Sequence, residues 1–102
     1  MSEGRALTLV LSERKLDTDS APRFHEGLMR NIGGATSLTI DMGAVVYISS
    51  AGLRALLSAQ HAMGEGSHIT LRNVNEEVMN TLEVTGFSEI FNVEPAICSE
   101  QG

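Results

Sequence analysis

Between residues 38 and 42 the chain alternates, with Leu38, Ile40 and Met42 set against Thr39 and Asp41. That is the period of a strand buried on one face only. Further on, Leu53, Leu56, Leu57 and Met63 recur at helical spacing, which predicts an amphipathic helix ending near Gly64. The residues between, 45–48, are apolar and β-prone. They form a crossing segment that delivers the chain to Ser49-Ser50-Ala51-Gly52 at the helix entrance. A serine there can cap free backbone N–H groups. The same place suits a phosphate, because a helix N-terminus carries partial positive charge.

The same periods sort the rest of the chain. Leu7, Leu9 and Leu11 alternate with Thr8 and Val10, a first strand, and residues 12–17 read as a charged loop or strand extension. Thr18, Asp19 or Ser20 then opens a helix with Pro22 in its first turn. Phe24, Leu28 and Ile32 share one face of it, and Gly33-Gly34 stops it. Gly27 inside this helix costs about 1 kcal/mol relative to alanine, so the helix depends on packing. Ile69 and Leu71 alternate with Thr70 and Arg72, a third strand. A third helix follows, with Asn75 as cap, Glu76 and Glu77 at its positive start, Val78 and Leu82 inward and Gly86 at its end. Residues 87–93 hold a short apolar stretch, a last strand, and 94–102 read as a loose tail.

Strands alternating with helices predict a mainly parallel sheet with right-handed crossovers. Strands covered on both faces would read as continuous apolar runs; these alternate. The expectation is one α/β domain over 1–102, core about 7–93, with a small mixed sheet of about four to five strands and helices mainly on one face.

Composition narrows the function. The chain has 102 residues, thirteen Asp+Glu against seven Lys+Arg and a formal net charge of −6. That argues against nucleic acid, which selects a basic face, and four aromatics leave little for base stacking. No apolar run approaches the roughly 20 residues that cross a bilayer, and the first residues lack a signal peptide's pattern. Cys98 is the one cysteine and has no basic neighbour to activate it. A cytoplasmic protein with no membrane segment is expected.

Ser50 carries two readings: a helix cap, or a phosphorylation site at which roughly −1.5 to −2 charges change a docking surface without unfolding the helix. A serine nucleophile is disfavoured, because residues 48–52 read I-S-S-A-G and lack the first glycine of the G-x-S-x-G elbow. Asp17 and Asp41 sit at strand ends, where α/β proteins place sites and where turn chemistry also uses aspartate. They carry no metal-ligand spacing, and no glycine-rich phosphate loop is present. No metal and no cofactor is expected. Arg54, one turn into the second helix, points to solvent, placed to touch a partner or a nearby phosphate.

Residues 38–57, L-T-I-D-M-G-A-V-V-Y-I-S-S-A-G-L-R-A-L-L, resemble the central segment of STAS domains of the anti-sigma factor antagonist (anti-anti-sigma factor) type. There an aspartate ends a strand and D-S-[ST]-G-L opens the second helix. Lys15-Leu16-Asp17, with Ala21 four residues beyond the aspartate, is similar to the family's upstream G-x-L-D-x-x-x-A element. Residues 78–91 resemble its last helix and closing strand. The family's N-terminal hairpin is shortened here.

The resemblance implies a protein that is a ligand and substrate, not an enzyme. Unphosphorylated, it binds a GHKL-type serine kinase that is also an anti-sigma factor. Phosphorylation at the position of Ser50 releases it, and a PP2C-type phosphatase resets it. Ser49 replaces the family aspartate before the serine and adds a second, less favoured hydroxyl. The implied partner-binding surface around Ser50 comprises Asp17, Asp41, Ser49, Ala51, Gly52, Leu53 and Arg54. The rival from another class is a non-phosphorylated STAS subunit of a transport or sensory complex, with Ser50 only a cap.

Overall fold

A computed structural model describes residues 5–64 and 66–96. In chain order the elements are β1 (Arg5–Val10), β2 (Lys15–Leu16), α1 (Ala21–Asn31), β3 (Ala35–Asp41), β4 (Tyr47–Ile48), α2 (Ser50–Met63), β5 (His68–Val74), α3 (Glu76–Thr85) and β6 (Asn92–Pro95), with a 3-10 turn at Phe87–Glu89. The main sheet has four strands in the order β1-β3-β5-β6, and β2 and β4 form a separate two-stranded ladder. Every pairing among the described residues is parallel. The α/β class therefore stands, while the mixed strand directions expected of the sheet are replaced by parallel ones. Each pair of hydrogen-bonded strands is joined through a crossover, as parallel pairing requires.

Alternation in the strands decides the layering. Leu38 and Ile40 of β3 and Ile69 and Leu71 of β5 are fully buried. They join Leu28 of α1, Leu56 of α2 and Leu82 of α3 in one core. The intervening positions lie in register across the other face, Thr8 beside Thr39, Thr39 beside Thr70 and Thr70 beside Asn92. That face is polar and open, so helices cover one side only, as the alternation predicts.

Local chemistry sets the helix ends. Asn75 caps α3, its side-chain oxygen accepting from the Val78 N–H at 2.9 Å, while its amide group donates to the Val45 carbonyl at 2.9 Å. The crossing segment is thereby tied to the start of α3. Gly86 ends α3 at φ 84°, a left-handed conformation that glycine adopts without strain. Ser20 occupies the cap position of α1, but its hydroxyl donates instead to the Lys15 carbonyl at 2.6 Å.

Two boundaries differ from expectation. Residues 87–89 are a 3-10 turn and the last strand begins at Asn92, because Phe87 and Phe91, ring centroids 5.9 Å apart, pack as a turn rather than alternate. Glu94 and Pro95 belong to β6 rather than to the tail; Cys98 and residues 97–102 lie outside the described residues. Among the described residues no helix is long and apolar enough to cross a membrane.

Candidate functional site

The short β2–β4 ladder builds the site. Lys15 lies opposite Tyr47 and Leu16 opposite Ile48. One register step further, the Leu16 carbonyl accepts from the Ser49 N–H at 2.8 Å and from the Ser49 hydroxyl at 3.2 Å. Ser49 is extended, at φ −99° and ψ 177°, and its hydroxyl oxygen accepts from the Ala51 N–H at 3.2 Å. Ser49 is therefore the N-cap of α2. It is half-buried, and both capacities of its hydroxyl are in use.

Ser50 is the first residue of α2 and is exposed, and its side chain makes no hydrogen bond among the described residues. The capping role weighed for Ser50 thus falls to its neighbour. Removing each hydroxyl in turn separates the roles. Ser49→Ala is expected to lose about 1 kcal/mol of stability, the usual worth of an N-cap. Ser50→Ala is expected to stay within about 0.5 kcal/mol of wild type, as exposed substitutions do. Urea unfolding of the two variants checks the assignment; equal losses contradict it.

Gly52 and Leu53, expected on the partner-binding surface, face inward. Both are buried, Leu53 at 2% exposure. A Cβ at Gly52 would stand 2.9 Å from the Leu16 carbonyl oxygen, 3.0 Å from the Leu16 Cβ and 3.0 Å from the Ile48 Cγ1. Glycine is what lets the first turn of α2 seat on both strands of the ladder. These two residues hold Ser50 outward rather than form the surface themselves. Ala51 is half-buried and Arg54 is exposed. Both border a shallow recess between α1 and α2, with Pro22 and His25 on its far side.

Asp17 follows Leu16 and so comes to the same corner. Its Oδ1 accepts from the Ser20 N–H at 3.1 Å and the Asp19 N–H at 3.0 Å. The Ser20 amide chiefly holds this carboxyl below its ordinary value of 3.8, and burial opposes it. The aspartate therefore shapes the β2–α1 turn and leaves its second oxygen outward.

Asp41 belongs to a different cluster, at the end of β3. Its Oδ1 accepts from the Asn73 side-chain amide at 3.0 Å and the Gly43 N–H at 2.9 Å. Asn73 itself sits at φ 58°. The Asn73 bond, then the Gly43 N–H, depress the carboxyl below 3.8. A depressed folded pKa contributes stability that is present above the unfolded value and lost as pH falls through the folded one. The urea midpoint should therefore fall as the pH drops below the ordinary carboxylate value of 3.8, and fall less for Asp41→Asn. Parallel decline of the two proteins would refute this linkage.

Two features here were illegible from the sequence. β2 is two residues long, too short for any period to announce. Tyr47, expected in an apolar segment, is 50% exposed three residues before Ser50. Among the described residues no three His, Cys, Asp or Glu side chains gather as a metal site.

Comparison with known proteins agrees with this architecture. The STAS domain profile matches residues 3–99. A STAS-domain containing protein of Pseudomonas aeruginosa (strain UCBPP-PA14) is 27% identical over 93 residues, spanning 90% of this chain and 91% of its own. The crystal structure of a Thermotoga maritima protein provisionally assigned as an anti-sigma factor antagonist superposes with a TM-score of 0.74 at 21% identity, covering 90% of this chain and 82% of the other. The chain belongs to the STAS domain family.

Proposed function

We propose that this domain is an anti-sigma factor antagonist that works by partner switching, with Ser50 as the phosphorylated residue. The observation carrying the reading is the division of labour between adjacent serines: Ser49 caps the helix, and Ser50 is left exposed with no bond of its own. The domain would act as ligand and substrate, not as an enzyme. Its similarity to a Thermotoga maritima protein provisionally assigned to that class supports the same direction.

In the unphosphorylated state the corner of exposed Ser50, Tyr47 and Arg54 with half-buried Asp17 docks on a serine kinase that doubles as an anti-sigma factor, in the cytoplasm. The kinase moves the γ-phosphoryl group of ATP to the Ser50 oxygen, ADP leaves, and the hydroxyl proton passes to a base of the kinase. The domain then dissociates. A PP2C-type phosphatase returns it by hydrolysis to serine and inorganic phosphate.

Incubation with the cognate kinase and ATP, followed by intact-mass measurement, tests the reading. One phosphate should appear on wild type and none on Ser50→Ala of wild-type stability. A domain that is never modified and instead binds a transporter ATPase would refute it in favour of a structural subunit.

A further inference from the structure

Six of the seven arginine and lysine side chains, those between residues 14 and 72, divide into two groups. Arg23 pairs with Glu13, Arg30 with Glu26 and Arg72 with Glu94. Arg14, Lys15 and Arg54 make no ion pair among the described residues. Lys15 lies on β2 and Arg54 on α2, the elements that meet at Ser50, and Arg14 immediately precedes β2. The Arg14 carbonyl and Lys15 are bound to β4 and its preceding residue, and Arg54 is on α2 itself. In a chain of net charge −6, these three cations without an ion pair among the described residues share the corner with the carboxylates of Asp17 and Asp19.

Arg54 is the best placed of the three. It stands four residues after Ser50 on a continuous helix, and residues at that spacing have Cβ atoms roughly 5–6 Å apart. Helical side chains lean toward the N-terminus, so a long one at position 54 covers the turn that begins at Ser50. A guanidinium matches phosphate oxygens with parallel N–H donors.

We infer that Arg54 is the internal counter-ion of phosphorylated Ser50, bridging to its phosphate within α2. This rests on the proposed phosphorylation and assigns it a second effect. Before modification Arg54 is exposed and makes no ion pair among the described residues, available to an acidic group of the partner. After modification it is captured. Phosphorylation then adds an anion to the docking surface and withdraws a cation from it in the same event.

The test is phosphorus NMR titration of the full chain with phosphoserine installed at position 50 during translation, alone and combined with Arg54→Gln or Arg54→Lys. Arg54 favours the dianion, so the second ionisation of the phosphate should lie roughly 0.2–0.4 unit lower with Arg54 than with glutamine, lysine keeping most of the shift. The other charged or titratable groups around this corner are Arg14 before β2, Lys15 on β2, Asp17 and Asp19 in the turn, His25 on α1, Tyr47 on β4 and Glu77 on α3. They are common to all three proteins, so the difference reports position 54 alone.

Coincident curves for the arginine and glutamine proteins overturn the inference. Because no kinase is used, that result is separate from the fate of the proposed function, which falls if the kinase leaves Ser50 unmodified.

Discussion

Gly52→Val is expected to lower the stability of the domain by about 3 kcal/mol, a large loss for a glycine on a helix. Glycine within a helix ordinarily costs about 1 kcal/mol relative to alanine, so replacing it normally helps. The sign reverses here because the space is taken. The added carbon meets the Leu16 carbonyl oxygen at 2.9 Å, and that oxygen is fixed by two bonds from Ser49. Neither partner can yield without breaking the ladder or lifting the helix from it.

Gly27 on α1 supplies the internal control, since nothing stands within 4 Å of a Cβ there. Gly27→Ala should stabilise by up to about 1 kcal/mol, while Gly52→Ala should destabilise. Urea unfolding of the three variants checks this, and equal signs for the two alanine substitutions would defeat the packing account. Gly52→Val should also impair modification of Ser50, because a displaced first turn no longer presents that hydroxyl.

What could be read from the sequence follows from which interactions are local. The strand around Leu38 and Ile40, the helix through Leu53 and Leu56, the Asn75 cap and the Gly86 stop all rest on near-neighbour periodicity or backbone preference, and all are present. The assignment of the cap between Ser49 and Ser50 was not legible. Adjacent serines have the same propensity, and the choice is made by the Leu16 carbonyl, 33 residues away in the chain. That same distant strand turns Gly52 and Leu53 inward, although their place in the motif suggested a surface. The open polar sheet face, by contrast, was announced by Thr39 and Thr70, since alternation reports which side stays wet.

In the proposed switch, separation of surface from scaffold would set the size of the effect. Phosphorylation of Ser50 is expected to leave folding stability within about 0.5 kcal/mol of the unmodified domain, because the hydroxyl is exposed, unbonded and at the favourable end of a helix dipole. The same group should weaken kinase binding far more. A charge buried in an interface without a partner costs about 2–5 kcal/mol, which is roughly 30- to 4,000-fold in affinity at 1.4 kcal/mol per decade. If Arg54 bridges the phosphate, the penalty moves toward the lower end, since the anion enters partly neutralised, but a partner carboxylate then loses its cation. The two proteins should therefore give nearly superimposable urea curves and widely different dissociation constants by calorimetry against the kinase. A phosphorylated domain that binds as tightly as the unmodified one would remove the electrostatic basis of the switch. One that binds weakly only because it has lost stability would move the cause from the docking surface into the fold.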